Sequence, residues 1–234
     1  MTEEAGQRTR ALPSALTSNG VEIPFDEQYF TPMRDSSPDD PEAARRAFAD
    51  EGYVLLRSVL DRDAVLELRA DYFRRFDPSL LAPGSTPKDG VFSGTVPDLP
   101  EYGTQGHPAY DFVRSAEFDT FTQDRRLHSI AELLLDGSAE LLPRRIVRHF
   151  HSGARRASRA HIDYDYMDHG TDQVVTAWIP LGDCPVESGG LVYLERSHHI
   201  ARAHLDGLRT HTDRPTDHRP ISNDLALTAR ELGG

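Results

Sequence analysis

The sequence predicts an α+β chain whose helical front half passes, with no linker, into the opening half of a metal-binding β-barrel. Three observations predict it. Between residues 39 and 140 apolar positions recur at helical spacing behind capping residues. From Pro143 the period falls to two, as in a strand. A histidine and an aspartate two apart, His161 and Asp163, then precede two strand-like runs joined through Gly189 and Gly190. The 234 residues suit an extended arm over 1–38 and one domain over 39–234, helical over 39–140 and a partial barrel over 141–234.

Taken in order, residues 1–38 are rich in Pro, Ser, Asp and Glu with little periodicity, which predicts an arm anchored by Ile23, Phe25, Tyr29 and Phe30. Asp39 and Asp40 before Pro41 open a helix, because a capping carboxylate is followed by a residue whose missing N–H costs nothing at that position. The helix PEAARRAFADEG closes at Gly52. YVLLRSVL reads as a buried strand, and Asp61 or Asp63 starts a second helix through Phe76 with Val65, Leu68, Tyr72 and Phe76 on one face. Residues 77–111 scatter aromatics among Gly, Pro, Ser and Thr and read as a long loop that covers the site. A third helix runs from about Thr122 to Leu135, closed by Gly137, with Phe121, Leu127, Ile130, Leu133 and Leu134 available to the core. RRIVRHFH then alternates, Ile146, Arg148 and Phe150 on one face and Val147, His149 and His151 on the other.

Composition removes several functions. A formal charge of −12 opposes general nucleic-acid binding, which needs a basic footprint. No run approaches the roughly 18 apolar residues of a membrane span, and MTEEAGQRTR leads into no apolar signal region. One cysteine, Cys184, excludes an internal disulfide and suits a reducing cytoplasm. Lys88 is the only lysine, an arginine bias that points to a GC-rich bacterial genome. Charge is uneven, however: Arg144, Arg145, Arg148, Arg155, Arg156 and Arg159 fall within 144–159 with no acidic residue among them. Such a cluster either clamps an anionic substrate or cosubstrate or is a solvated strand edge.

In a strand, side chains at i and i+2 share a face with origins roughly 6–7 Å apart, so one His-X-Asp can give an ion two ligands and leave positions open. The chain has three such pairs: His161 with Asp163, His204 with Asp206 and His211 with Asp213. Context selects the first, because VVTAWIPL follows it and RRIVRHFH precedes it, whereas the other two lie in HLDGLRTHTDRPTDHRP, a polar, proline-containing loop. The bland alternative for the first pair is a structural hydrogen bond at a strand end.

The order FADEGYVLLRSVLDRDAVLELR, then HID, then VVTAWIPLGDCPVESGGLVYLERSHH resembles the phytanoyl-CoA dioxygenase family of Fe(II)- and 2-oxoglutarate-dependent oxygenases. The resemblance spans roughly residues 45–200. It implies a double-stranded β-helix, or jelly roll, with flanking N-terminal helices. It implies that His161 and Asp163 ligate iron, that Thr176 and Trp178 line the cosubstrate pocket or else the ordinary core, and that O2 is consumed with 2-oxoglutarate. Arg148 is the candidate anchor for a carboxylate.

Two departures qualify the match. Arg196 in ERSHH replaces the usual glycine before Ser-His, with His198 a turn residue rather than a ligand. The family's third ligand, a histidine after a Gly-Asp turn, and its cosubstrate arginine have no counterpart after His199, so the missing barrel strands are expected beyond Gly234. His211 and His218 sit in surroundings unlike a barrel strand. The expected function is oxidation of a small metabolite, with the arm and the 77–111 loop setting its identity. The rivals are a cupin-like metal enzyme that needs neither oxygen nor 2-oxoglutarate, and a non-catalytic binding protein on a degenerate barrel.

Overall fold

The computed structural model describes residues 15–18, 20–24, 30–151, 157–163 and 173–200. Its first feature corrects the expectation of a plain arm. Strand β1 (Ala15–Ser18) pairs antiparallel with β2 (Val21–Pro24), Ser18 opposite Val21. The connection carries Gly20 at φ 84°, and Asn-Gly between short runs is the sequence signal for such a hairpin. Strand β3 (Asp35–Ser36) then pairs in parallel with β4 (Leu55–Leu56), the part of YVLLRSVL that joins a ladder.

Helix α1 (Pro41–Glu51) starts where the cap was expected: the Asp40 carboxylate accepts from the Ala43 N–H at 2.9 Å, and Gly52 closes the helix at φ 81°. Gly52 is required for a second reason, since a Cβ there would overlap the His198 imidazole and the Tyr193 hydroxyl. Helix α2 (Arg62–Phe73) is capped by Asp61, which accepts from the Ala64 N–H at 2.8 Å. Its helical hydrogen bonds give way to one tighter turn, Phe76 N–H to Phe73 carbonyl at 3.1 Å, so Phe76 still reaches the core face.

Residues 77–111 are more than a loop. A 3-10 turn (Pro78–Leu80), a bridge between Leu81 and Phe92, and helix α3 (Pro108–Phe112) lie within or at the end of that span. Leu80, Ala109 and Phe112 from it are buried. Five helical residues are too few to display a period, which is why α3 escaped a pattern-based reading. Helix α4 (Ala116–Thr122) is a further element absent from the expectation, announced only by its cap, Ser115, which accepts from Phe118 N–H at 3.3 Å. Helix α5 (Arg125–Leu135) starts three residues later than expected, at the Asp124 cap. None of its residues is fully buried, so Leu127, Ile130, Leu133 and Leu134 form a half-buried flank rather than a core face.

The core is therefore built from α2 outward: Leu68, Tyr72 and Phe76 meet Leu80, Ala109, Phe112, Phe118 and Val147. Tyr72 is the hub, with edge-to-face contacts to Phe76 at 4.9 Å, Phe112 at 5.0 Å and Phe73 at 5.3 Å. Each such buried aromatic contributes roughly 1.5–3 kcal/mol through area removed from water.

After residue 140 the chain joins no named strand ladder among the described residues. The alternation predicted for RRIVRHFH holds all the same: Val147 is buried and His149 and His151 half-buried, whereas Ile146, Arg148 and Phe150 are exposed. A closed barrel is not seen among the described residues. Gly189, at φ 74°, ends a 3-10 turn (Val186–Ser188) and so does turn the chain, without a paired hairpin around it. The segment that follows is fastened back to α1. Tyr193 donates to the Gly52 carbonyl at 3.0 Å, His198 Nε2 donates to the Ala49 carbonyl at 2.9 Å, and Arg34 bridges Glu51 and Glu195 at 2.8 Å each. His198 thus ties this segment to α1.

Candidate metal centre

Residues 157–163 form a short described segment that carries the two residues singled out above. His161 Nδ1 lies 2.6 Å from the Arg159 carbonyl, an acceptor only, so this nitrogen carries the proton. The bond orients the ring and turns Nε2 toward Asp163, whose Oδ1 is 3.1 Å away. Nε2 therefore either donates to the carboxylate as part of an imidazolium or, deprotonated, presents its lone pair beside Oδ1. The side chains are 26% and 46% exposed, partly shielded yet open on one side.

The electrostatics agree with this geometry. Hydrogen bonding to Asp163 holds the imidazole above its ordinary range, supported by the Arg159 carbonyl and opposed by burial. Hydrogen bonding to His161 holds the Asp163 carboxyl below its ordinary range, with a second bond from the Thr176 side chain and the charge of Arg148 acting in the same direction. Four of the five residues named from sequence therefore meet here: His161, Asp163, Thr176 and Arg148. Trp178 is 49% exposed and, among the described residues, is not one of the groups that act on His161 or Asp163.

The pair fits a transition-metal ion. Two neighbouring ligands of an octahedral ion, with bonds of about 2.1 Å, stand about 3 Å apart, and Nε2 and Oδ1 already hold that spacing. One nitrogen and one carboxylate oxygen are the donor types of the 2-His-1-carboxylate triad. The Nδ1–H bond to a backbone carbonyl is the outer contact that usually orients a ligating histidine. No cluster of three or more ligand side chains occurs among the described residues. The other His-X-Asp pairs, His204 with Asp206 and His211 with Asp213, and also His218, lie outside those residues.

The arginine cluster divides. Arg145 is committed to structure, bonded to the Asp119 carboxylate at 2.6 Å and the Thr122 hydroxyl at 2.8 Å. Arg148 is exposed, and its charge reaches His161, Asp163 and Tyr102. Arg155 and Arg156 lie outside the described residues. Sequence reasoning missed Tyr102, whose hydroxyl donates to the Val147 carbonyl. A lone aromatic in a Gly- and Pro-rich stretch carries no signal of that kind. A cavity of about 110 Å³ between α2 and residues 149–151 is lined by Phe73, Leu80, Leu81, Phe92, His149 and His151.

The family model for phytanoyl-CoA dioxygenase (PhyH) matches residues 48–225, and the chain belongs to that family. Its members are, in general, jelly-roll oxygenases that use Fe(II), 2-oxoglutarate and O2. Neither the curated proteins nor the solved structures include a significant match to the chain. No helix among the described residues is long and apolar enough to cross a membrane.

Proposed function

We propose that this chain is an Fe(II)- and 2-oxoglutarate-dependent dioxygenase that hydroxylates or otherwise oxidises a small metabolite, with His161 and Asp163 as two of the iron ligands. The observation that carries the reading is the 3.1 Å approach of Nε2 to Oδ1, with Nδ1 already engaged, in a chain of this family. His161 and Asp163 would hold the iron, which would supply oxygen activation coupled to the decarboxylation of 2-oxoglutarate.

The chain's own residues have four tasks. The Arg159 carbonyl fixes the tautomer that leaves Nε2 as the ligand atom. The Thr176 side chain holds the Asp163 carboxylate in place. Arg148 offers a guanidinium to a carboxylate, of 2-oxoglutarate or of an anionic substrate. The loop over residues 77–111 would help to exclude water from the site. A retained carboxylate ligand favours hydroxylation over halogenation, because a halide needs the place that Asp163 takes. The protein acts in the cytoplasm of a bacterium, on a small molecule rather than on nucleic acid or membrane.

The test is succinate formation from 2-oxoglutarate with added Fe(II) and O2 across a panel of small acids and amines. Succinate above a metal-free control supports the reading. Oxygen-independent turnover of a panel member would favour the cupin-like rival instead, and neither activity in protein that binds iron would favour a binding protein.

A further inference from the structure

We infer that the cavity between α2 and residues 149–151 is a binding site for a small neutral molecule: one apolar ring or short chain bearing a single hydroxyl or N–H that pairs with His149. The inference stands on the walls and lining of the cavity and does not require the iron reading given above.

Three parts of the chain make those walls. Helix α2 supplies Phe73, residues 80–92 supply Leu80, Leu81 and Phe92, and the segment after α5 supplies His149 and His151. The second wall is fixed by its own backbone. Leu81 bridges Phe92, the Ala82 N–H donates to the Val91 carbonyl at 2.8 Å, and the Ser93 N–H donates to the Leu80 carbonyl at 2.9 Å. Gly90 lets this wall lie against α2, since a Cβ there would come within 2.8 Å of the Phe73 ring. On the other side Phe92 packs on His151 at 4.9 Å. Bonded backbone and packed rings therefore bound the volume of about 110 Å³ before anything enters it.

The lining sets the class of ligand. Phe73, Leu80, Leu81 and Phe92 present no polar side-chain atom, so a water there finds few of the roughly 2–4 partners it needs. Apolar cavities of roughly 150 Å³ take up a benzene-sized molecule, and this one suits a single ring or a short chain. His149 adds the polar requirement. Its ring is held nearly perpendicular to Tyr72, Phe73 and Phe76, and neither of its nitrogens has a hydrogen-bond partner among the described residues. Burial keeps this imidazole uncharged at neutral pH, its pKa pushed down to about 4. It thus offers one N–H and one lone pair, and no charge for a carboxylate or phosphate. A hydroxyl or N–H arriving on an apolar body satisfies a polar group that the described protein leaves unpaired.

The experiment titrates the full chain with phenol and, separately, with toluene, read by backbone amide shifts in ¹H–¹⁵N spectra. Both probes should bind the wild type, with Kd on the order of 0.1–1 mM for molecules of this size. The shifts should centre on residues 80–92 and 149–151. His149→Phe keeps a ring in place, and should weaken phenol roughly fivefold, the effect of one hydrogen bond of about 1 kcal/mol, while leaving toluene unchanged. Leu81→Trp, at a half-buried wall position, should abolish binding of both probes in protein whose circular dichroism is unaltered. Wild-type protein that binds neither probe overturns the inference, as do shifts centred elsewhere. Equal phenol affinity in wild type and His149→Phe overturns the role of His149, and with it the class of ligand.

Discussion

The segment from Pro41 to Leu135 and the segment after residue 140 are held by different kinds of bond. In the first, the five helices satisfy their own backbone, and four of the caps are carboxylate or hydroxyl side chains two or three residues from the N–H they bind. In the second, the described backbone joins no named strand ladder and depends on contacts from elsewhere. Tyr102 takes the Val147 carbonyl, Asp119 takes Arg145, and Phe73, Phe76 and Tyr72 surround His149. The candidate metal pair belongs to the dependent region. Its geometry is therefore only as firm as those contacts, which places substitutions in α2 and in the 77–107 stretch among those that should affect the site.

The contact that most directly joins the two regions is also the most sensitive to pH. His149 packs edge-on against Phe73, Tyr72 and Phe76 at 5.5, 5.6 and 5.7 Å. Burial, followed by the nearby His151 and His107, pushes its pKa down to about 4. The folded state thus resists a proton that the unfolded chain accepts near pH 6.5, so this contribution to stability is complete above about 6.5 and is lost as the pH falls toward 4. About 2–3 kcal/mol of folding stability should disappear across that window. Urea midpoints measured at pH 7 and pH 4.5 check this, and His149→Leu should flatten the difference. A wild-type midpoint that does not move would mean that the two regions are joined elsewhere.

A smaller effect is expected where the later segment returns to α1. Arg196 takes φ 60°, the left-handed region, at the position where this family usually has glycine. That conformation costs a residue with a side chain roughly 1–2 kcal/mol. In return the Arg196 side chain approaches Glu51 at 3.7 Å, a loose ion pair worth at most about 1 kcal/mol. Arg196→Gly should therefore be neutral or stabilising by up to about 1 kcal/mol in thermal denaturation, since the Arg196 N–H to Glu51 carbonyl bond of 3.0 Å survives the change. A clear loss of stability would show that the ion pair outweighs the backbone strain.

The same division explains what could be seen in the sequence. Caps and amphipathic faces are local, so Asp40, Gly52, Asp61 and the Leu68–Tyr72–Phe76 stripe were legible, as was the alternation from Ile146 to His151. Helices α3 and α4 were too short to show a period, and the Asn-Gly hairpin lay in a stretch whose polar composition suggested only an arm. At the site, flanking apolar runs visible in one dimension single out His161 and Asp163 as the candidates among three His-X-Asp pairs. Tyr102 could not be found, because its bond to Val147 spans 45 residues and depends on how the intervening helices pack.

The central claim is that His161 and Asp163 hold iron. The most direct measurement is Fe(II) affinity, by anaerobic titration, of the wild-type chain against His161→Ala and Asp163→Ala, with circular dichroism to verify the fold of each. Loss of a first ligand should abolish stoichiometric binding in both variants while the helical signal of residues 41–135 remains. Iron affinity unchanged in both would contradict the assignment and leave the pair as a structural hydrogen bond.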